Sequence, residues 1–422
     1  MSTAVFWFRN DLRLHDNPAL AKAVEENDQV LPVYAIDQRY LQEDRWGFVR
    51  TGTYRLKFLL ESLSDLKAYL KEKGSDLMVV KGIPEEVLPP IAEQYQANAI
   101  YATKEYTHEE LKIEATLADQ IDLHLSHGAT LYHPDDLPFA INQLPDVFTQ
   151  FRKRAEKYAK VQPLVTTPEQ INSPDFSETK IPTLPELGFE ITEADGRQVM
   201  PFKGGAMAAE NRLEHYFWET DAVATYKETR NGLIGADYST KFSPWLANGS
   251  ISPRTIFHEV DAYEDEVKAN SSTYWVKFEL IWRDYFKFVA MKFGRKIFFK
   301  GGIQNKEVGA WQNNKVFEKW AYGNTGDDFV DANMRELLHT GFMSNRGRQN
   351  VASYLVHQMN LDWRMGAAWF ESLLIDYDVT SNYGNWMYAA GVGNDPRDRV
   401  FNTKKQAGMY DGNGAYRKLW LE

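Results

Sequence analysis

The 422-residue chain contains no cysteine, which excludes disulfides, iron–sulfur clusters, thiolate zinc sites and a cysteine nucleophile. No apolar run approaches the roughly 20 residues that a membrane span needs. The N-terminal segment MSTAVFWF lacks the basic region, apolar segment and cleavage site of a signal peptide. Neither a G-x-G-x-x-G nor a Walker-type phosphate loop follows any apolar run. These absences predict a soluble chain, which we expect in the cytoplasm and without a membrane partner.

Positive charge is scarce overall but not in every part of the chain. The net charge is −11, which argues against nucleic acid because the phosphate backbone requires a basic surface. Residues 1–200 hold 21 Lys and Arg against 32 Asp and Glu, whereas residues 201–422 hold 27 of each. Seven bases between positions 283 and 306 meet one acid, Asp284. This run is typical of a solvated helix face, and it also permits a basic surface in the second half.

The first 135 residues alternate short apolar runs with amphipathic stretches. The runs predict strands buried on both faces, and the stretches between them predict helices. This alternation indicates a parallel, doubly wound α/β sheet, and such sheets bind ligands outside the carboxyl ends of their strands. The predicted strands are residues 5–8, 30–36, 77–80, 99–102 and 130–133. The predicted helices are residues 17–26, 51–73, 84–95 and 108–124.

A proline-rich segment separates this pattern from a helical second half. Residues 163–188 contain five prolines and several Ser and Thr, which interrupt every periodicity and predict a long linker. Beyond Gly205 the pattern is helical almost to the end, which predicts an all-α domain. We therefore predict an α/β domain over residues 1–135, a linker over 136–205 and a helical domain over 206–422. Its predicted helices are residues 207–226, 253–263, 272–292, 314–322, 328–338, 344–357, 363–374 and 378–388.

Charged and amide groups share helix faces with large aromatics in the last third of the chain. Glu279 has aromatic residues at helical spacing on its own face, namely Trp275, Phe278, Trp282 and Phe286. A carboxyl among aromatics is desolvated, so its pKa should rise and its hydrogen bonds should strengthen. Two interpretations follow. Glu279 holds a buried polar ligand, or it pairs with an arginine in the core.

A second predicted helix carries three polar groups on one face, which are Asn345, Arg348 and Gln349. Ser344 is placed to cap this helix. Gly347 costs about 1 kcal/mol relative to Ala inside a helix, which is tolerable where a ligand must approach closely. The pattern indicates either a binding face for a polar, planar ligand or a solvent-facing turn rich in hydrogen bonds.

Asp376, Asp378 and Asn382 lie within one or two turns, and no histidine is near them in the sequence. The two acids indicate a metal site, a pair of acceptors for N–H groups, or a helix N-cap made by Asp378.

Two further clusters hold polar groups. In the first, four side chains lie just before a predicted helix, and they either present donors to a phosphate or only cap the helix. They are Ser239, Thr240, Lys241 and Ser243.

Three histidines lie on a helix end, a turn and a strand without a carboxylate at ligand spacing, so we predict no metal there. They are His124, His127 and His133.

Four long segments resemble the photolyase/cryptochrome family, and among its members the DASH-type cryptochromes most. They are FWFRNDLRLHDNPAL, ELIWRDYF, MRELLHTGFMSNRGRQNVASYL and DYDVTSNYGNWMYAAGVGNDPR. The resemblance runs from Phe6 to about Trp420, nearly the whole chain. It implies an α/β domain joined by a long linker to a helical domain that holds FAD. It also implies that Asp376 and Asp378 serve the flavin rather than a metal.

The resemblance carries the flavin-binding roles over to residues of the helical domain. Asn382 would face N5 of the flavin, where its amide helps to stabilise the reduced state, and Arg348 would pair with Asp376 beside the ring. The phosphates and ribitol would be held by Tyr226, Ser239, Thr240, Lys241, Phe242 and Ser243. Adenine and isoalloxazine would be surrounded by Trp282, Arg283, Asn345, Arg348, Asp376, Asp378 and Asn382.

The same resemblance implies two accessory features. An electron-transfer chain from flavin to surface corresponds to Trp386, Trp363 and Trp311, and Trp320 is the alternative surface end. Without the resemblance, these tryptophans are interpreted as core aromatics. Glu105 corresponds to the acid that holds a 5,10-methenyltetrahydrofolate antenna in folate-carrying relatives. The alternative is a surface acid at a helix start.

The implied activity is light-driven repair of cyclobutane pyrimidine dimers by electron transfer from excited reduced FAD. The flipped dimer would contact Glu279, Trp282, Asn345, Gln349 and Tyr388, and Arg346 would join the basic run at 283–306 on the phosphates. Duplex-repairing photolyases carry Trp where this chain has Tyr388, and Met where it has Gln349. The smaller, more polar wall gives less stacking energy to offset unstacking, so we expect single-stranded or looped DNA as the main substrate.

We expect a monomer whose partner is single-stranded DNA with pyrimidine dimers, and RNA stays open as a further target. Two alternatives remain: a blue-light photoreceptor with the same flavin photochemistry, and a nucleic-acid-binding flavoprotein without repair. A receptor is expected to carry a long C-terminal tail. This chain stops at Glu422, so we expect the enzyme.

Overall fold

The computed structural model describes residues 2–191, 193, 195–308, 311–395 and 400–422. Its N-terminal half is built on five parallel strands in the order β3-β2-β1-β4-β5. Helices alternate with the strands, as a doubly wound sheet requires. The strands are β1 (Thr3–Phe8), β2 (Gln29–Ile36), β3 (Met78–Lys81), β4 (Ala99–Thr103) and β5 (Asp122–Ser126). The helices are α1 (Pro18–Glu26), α2 (Thr53–Glu72), α3 (Pro84–Gln94) and α4 (His108–Ala118).

Alternate residues of β1 point to opposite faces of the sheet, and helices cover both faces. Phe6 and Phe8 belong to a buried cluster that includes Leu63 of α2. Trp7 belongs to a second cluster, which includes Leu88 of α3. Burial on both faces explains why the inner strands have continuous apolar runs. Four of the five predicted strands are confirmed.

The fifth predicted strand is wrong. Residues 130–133 form no strand, because the backbone N–H groups of Leu131 and Tyr132 donate to the carboxylate of Asp284, at 2.9 and 2.8 Å. The fifth strand is instead β5, which begins inside the predicted helix 108–124. β5 lies at the edge of the sheet and its side chains are only partly buried. It therefore lacks the apolar run that marks the inner strands.

The connection between the two halves contains a helix that the sequence analysis missed, α5 (Phe148–Tyr158). Residues 159–183 that follow contain neither helix nor strand. This extended segment runs along the sheet, where the Val30 N–H donates to the Asn172 carbonyl at 2.8 Å and the Ser173 hydroxyl donates to the Val30 carbonyl at 2.7 Å. The domain boundaries at residues 135 and 205 stay predictions.

The second half is helical, as predicted. Its longest helix, α10, starts at a capping box in which Asn270 and Thr273 satisfy each other's backbone N–H groups. π-helical turns extend α6 and α13 at His215–Glu219 and Tyr354–Gln358. The helices are α6 (Ala206–Glu214), α7 (Tyr226–Thr229), α8 (Ser243–Asn248), α9 (Pro253–Glu266), α10 (Ser271–Phe293), α11 (Asn314–Ala321), α12 (Asp328–Thr340), α13 (Asn345–Ser353), α14 (Trp363–Leu373), α15 (Val379–Ala389), α16 (Thr403–Tyr410) and α17 (Ala415–Leu421).

Charged side chains join the two halves. Arg254 and Asp16, both buried, form an ion pair at 2.7 Å. Arg283 donates to the carbonyls of Ala129 and Leu246, at 2.6 and 3.1 Å. The bond to Ala129 holds α10 against the loop that follows β5. No helix within the described ranges is long and apolar enough to cross a membrane.

Candidate functional site

A cavity of about 510 Å³ lies between the α/β half and the helical half. Its wall includes Asn10 after β1 and Glu105 after β4, and these two strands flank the point where the strand order reverses. Ligands of doubly wound sheets bind at that point. The helical half contributes Arg283, Lys287 and Asp378 to the wall. The cavity therefore has the position and size of a small-molecule site.

Glu105 is buried in this interdomain cavity, with 7% exposure. Asn10 donates to its carboxylate at 3.0 Å. Burial raises the pKa of Glu105, although Arg9 and Lys287 oppose the shift. A carboxylate accepts several hydrogen bonds, so Glu105 can still bind an N–H group of a ligand. It is not at the surface, where the alternative interpretation placed it.

Arg348 and Asp376 organise a second site among the helices. Arg348 donates to Asp376 Oδ2 at 2.8 Å and to the Met343 carbonyl at 2.9 Å. The other oxygen of this carboxylate, Asp376 Oδ1, is buried and has no hydrogen-bond partner among the described residues. An unsatisfied buried acceptor is costly. This atom is therefore suited to an N–H group of a bound flavin.

Asn382 of α15 is oriented by one hydrogen bond. Its side-chain amide donates to the Ala367 carbonyl at 3.0 Å, and the residue is 8% exposed. Its Oδ1 accepts no hydrogen bond from the part of the chain that the structure describes. Because the N–H₂ end is engaged, the oxygen is the end left for a ligand.

Asp378 caps α15, as one of the three interpretations predicted. One oxygen accepts from the Ser381 N–H at 2.8 Å and the other from Lys287 at 2.9 Å. Burial alone would raise the pKa of Asp378, but Lys287 and Arg283 outweigh it and hold the pKa far below its usual range. Asp376 and Asp378 thus each pair with a protein cation. Among the described residues, no three His, Asp or Glu side chains gather as metal ligands.

The predicted phosphate-binding segment is held by an arginine that the sequence analysis missed. Arg212 donates to the carbonyls of Thr240 and Ser239, at 3.0 and 3.1 Å. Lys241 is 3% exposed, has a left-handed backbone with φ of 61°, and donates to the Ser239 hydroxyl at 3.0 Å. Burial lowers the pKa of Lys241 well below its usual range, although Glu336 opposes the shift. A nearby anion favours the charged form of a buried amine, so this segment fits a phosphate.

The other predicted flavin contacts differ in their surroundings. Tyr226 and Phe242 are buried, whereas Ser243 and Asn345 are exposed. Arg283 lines the interdomain cavity and is bound to two carbonyls there.

Glu336 of α12 is a buried acid that no motif marked. It is 1% exposed and accepts from the Tyr416 hydroxyl at 2.6 Å. Burial raises the pKa of Glu336 to about 7, while Tyr416, Lys241 and Arg348 oppose the shift. In the sequence it had no distinguishing signal, since a lone Glu in an amphipathic helix usually faces solvent.

Glu279 pairs with Arg230, so an arginine partner is present, but the pair is partly exposed rather than in the core. The guanidinium of Arg230 also lies 5.2 Å from the centroid of the Trp275 ring. Burial raises the pKa of Glu279, and Arg230 opposes the shift. The Glu279 side chain keeps 33% exposure, so it is paired and still accessible to a ligand. Arg230 was missed because it lies in a loop outside every motif considered.

Trp282 and Tyr388 meet in an aromatic corner. Their ring centroids are 5.7 Å apart, with an angle of 80° between the planes. Trp282 also stacks on Phe148 with a centroid distance of 3.5 Å. The two predicted walls of the lesion pocket are therefore in contact, and α5 supplies a third ring.

Arg346 is bound within the protein and orients Gln349. It donates to Gln349 Oε1 and to Asn231 Oδ1, both at 2.8 Å. Its guanidinium lies over the ring of Tyr410, 4.6 Å from the centroid. The oxygen of Gln349 thus accepts from Arg346, and the N–H₂ group is the part of this side chain that can donate to a ligand.

The basic run at 283–306 is divided between bases bound within the protein and exposed bases, so its contact with phosphates stays a prediction. The exposed bases are Arg295, Lys296 and Lys306. Lys287 is 4% exposed and pairs with Asp378 at 2.9 Å. Lys292 pairs with Asp146 at 2.8 Å, and Arg283 is bound to carbonyls between the halves. These three bases are thus paired with protein groups, Lys287 in the interior and Lys292 at the exposed carboxylate of Asp146.

The three tryptophans of the predicted electron-transfer chain run from the interior to the surface. Trp386 is 2% exposed, Trp363 1% and Trp311 71%. The Asp362 N–H donates to the Trp311 carbonyl at 3.1 Å, which places Trp311 next to the start of α14. Trp320 is 0% exposed. Exposure therefore favours Trp311 over Trp320 as the surface end.

Known protein families match both halves of the chain. Residues 4–171 match the DNA photolyase family, and residues 275–422 match the FAD binding domain of DNA photolyase. The chain is 51% identical over 430 residues to cryptochrome DASH of Danio rerio, with 99% of this chain and 83% of that protein covered. It is 49% identical over 427 residues to cryptochrome DASH of Synechocystis sp., with 99% and 87% covered.

Solved structures agree with this assignment. A Synechocystis cryptochrome superimposes with a TM-score of 0.97 at 49% identity, covering 100% of this chain and 89% of that one. An archaeal photolyase from Sulfolobus tokodaii, solved with two FAD molecules, superimposes with a TM-score of 0.80 at 28% identity, covering 100% and 90%. The fold and the helical site define a two-domain flavoprotein with a FAD-binding C-terminal half. The chain belongs to the photolyase/cryptochrome family, and the relatives named above carry the name cryptochrome DASH.

Proposed function

We propose that this chain repairs cyclobutane pyrimidine dimers in light with reduced FAD, mainly in single-stranded or looped DNA. The observation that carries the proposal is Glu279, a paired but accessible acid one helical turn from the Trp282–Tyr388 corner. A hydrogen-bonding acid next to aromatic faces suits a flipped pyrimidine pair, which offers carbonyls at its edge and flat rings at its sides.

Bound FAD supplies the light absorption and the electron that splits the dimer. The protein supplies the pose. Asp376 Oδ1 would accept from an N–H group of the isoalloxazine, and Arg348 orients that carboxylate from its other oxygen. Asn382, whose amide N–H₂ is bound to a carbonyl, would present its oxygen to N5, and Lys241 and Ser239 would hold the phosphates.

Glu279 contacts a carbonyl of the lesion. Burial raises its pKa, which favours the protonated form, and that form can donate a hydrogen bond where negative charge develops. Arg230 fixes the carboxyl group from one side, and Phe148 fixes the ring of Trp282 from behind. The pocket therefore has its donor and its wall in place before the lesion enters.

The preference for single strands rests on Tyr388 and Gln349. Tyr388 meets Trp282 edge to face and offers one small ring to a base, and the amide of Gln349 replaces apolar surface with a polar group. Base–aromatic stacking contributes about 1–3 kcal/mol per base. A wall with less stacking surface gives less energy to extract a dimer from a duplex, whereas a single strand requires little extraction.

We propose that the interdomain cavity holds an antenna, with 5,10-methenyltetrahydrofolate as its ligand and Glu105 as the acceptor for the pterin. The burial of Glu105 and its position at the reversal of strand order support this role. Addition of the folate should give a bound pigment with near-ultraviolet absorption, and E105A should abolish it. The surface variant E93A is the control. An unchanged pigment in E105A would rule out the assignment.

The direct test of the proposal is light-dependent loss of dimer from an oligonucleotide mixed with the reduced protein. We expect loss in light and none in the dark. Flavin photochemistry without any repair would favour the blue-light photoreceptor. DNA binding without flavin photochemistry and without repair would favour a flavoprotein that only binds nucleic acid.

A further inference from the structure

Trp386 contacts a second group of aromatic side chains that does not include Trp363. Its ring centroid lies 6.1 Å from that of Trp320 and 5.1 Å from that of Phe370. Trp320 lies 5.5 Å from Phe317, and both are buried, with 0% and 3% exposure. Trp386 therefore adjoins a buried indole on α11 in addition to the chain that ends at Trp311.

This second group reaches the surface on α11 and α14. Phe317 lies 6.2 Å from Trp369, and Trp369 lies 5.8 Å from Tyr322. Tyr322 is 51% exposed. Four rings of this group can be oxidised, and they are Trp386, Trp320, Trp369 and Tyr322. The phenyl ring of Phe317 contacts both Trp320 and Trp369 and lies between them.

The surroundings of the two buried indoles suit reversible electron transfer, and the exposure of Tyr322 suits a lasting radical at the surface. The Trp320 indole donates to the Val351 carbonyl at 2.9 Å. The Trp369 indole nitrogen is buried and has no hydrogen-bond partner in the part of the chain that the structure describes. Neither N–H faces a base, so an oxidised indole keeps its proton and can be reduced again. The exposed phenol of Tyr322 can release its proton to water on oxidation, which holds the oxidised state there.

We propose that Trp386, Trp320, Trp369 and Tyr322 form a second electron-transfer branch that supplies electrons from the surface to the flavin. The proposal rests on the flavin photochemistry of the proposed function. Trp386 gives one electron to photoexcited, oxidised FAD and receives one from Trp320, which receives one from Trp369, which receives one from Tyr322. Tyr322 loses one electron, and its phenolic proton goes to water. An added thiol then returns one electron and one proton to the tyrosyl radical.

The test starts from W363F, which blocks the chain to Trp311. Under blue light with oxidised FAD, W363F should still give a tyrosyl radical by electron paramagnetic resonance. Adding Y322F should lower this signal at least fivefold, whereas adding Y158F, at another exposed tyrosine, should not change it. W363F/W320F should lose the signal with FAD still bound. A radical-trapping adduct located by mass spectrometry should lie on Tyr322.

Two outcomes would overturn the branch. One is a W363F protein without any tyrosyl radical when the unmodified protein gives a lasting radical. The other is a radical in W363F/Y322F as strong as in W363F. Both proteins of the second comparison carry W363F, and they differ only at the exposed Tyr322, so a folding defect of W363F affects them equally. Dimer repair by chemically reduced protein needs no electron from the branch, so it tests the proposed function separately.

Discussion

Arg348 and Asp376 form an ion pair at 2.8 Å in which the buried carboxylate leaves one oxygen for a ligand. Asp411 and Arg417 form a pair of the same length near the C-terminus. Both oxygens of Asp411 accept hydrogen bonds from the protein. The two aspartate side chains are equally buried, at 2% exposure. They differ in the unpartnered oxygen, so the second pair is a matched control for the first.

D376N should weaken FAD binding about tenfold to hundredfold, because it replaces a charge-assisted acceptor by a neutral one at a cost of about 1–3 kcal/mol. Titration of the FAD-free protein by flavin fluorescence measures this change. D411N should lower the free energy of unfolding but leave the FAD dissociation constant unchanged. Equal loss of affinity in the two variants would show that Asp376 acts only through stability.

E279Q should lower the yield of dimer repair per absorbed photon about tenfold, since one good hydrogen bond to developing charge is worth about 1–2 kcal/mol. The visible spectrum of FAD should not change. Because the pKa of Glu279 is raised, its proton is lost at a higher pH than usual. The repair yield of the unmodified protein should therefore fall as pH rises, and E279Q should flatten that profile. E264Q, which affects the pair with Lys277, should behave like the unmodified protein.

Y388W should raise repair of duplex DNA relative to single strands, up to about tenfold, because the larger ring adds stacking energy on the order of 1 kcal/mol. Competition between a duplex and a single-stranded oligonucleotide in one reaction measures the ratio. Y158W, at an exposed tyrosine of α5, is the control for added indole. A ratio that stays constant in Y388W would show that this wall does not set the preference.

E336Q should change how stability depends on pH. The folded state raises the pKa of Glu336 from an ordinary 4.5 to about 7, so the stabilisation is complete below the unfolded value and is lost as pH rises through the folded one. The unmodified protein should therefore lose up to about 3 kcal/mol between these pH values. E336Q keeps an acceptor for Tyr416 and should remove that decline. Urea unfolding measures both profiles, and parallel profiles would show that Glu336 does not titrate in this range.

The inner strands were predictable because burial on both faces leaves a continuous apolar run. The edge strand β5 was not, because partial exposure mixes polar residues into it. The segment at 130–133 was wrongly predicted to be a strand for the opposite reason. Leu131 and Tyr132 are buried, but Asp284, distant in sequence, takes the backbone hydrogen bonds that a strand would have used.

The sequence identified several site residues but not the residues that they contact. Helical spacing placed Glu279 among aromatics, yet nothing in the sequence pointed to Arg230, since loops carry no periodicity. Gly347 was interpreted as making room for a ligand, but a Cβ there would overlap the side chain of Asn333 on α12. That glycine serves helix packing. Partners across the fold depend on tertiary contacts, which local spacing does not encode.

The most direct test of the account is a repair assay on matched oligonucleotides, one single-stranded and one duplex, each with a single cyclobutane dimer. The reduced protein is irradiated with both in parallel, and the loss of dimer is followed. The pocket formed by Glu279, Trp282 and Tyr388 predicts repair of both, with the single strand repaired faster. Equal rates would contradict the strand preference, and no repair of either would contradict the activity itself.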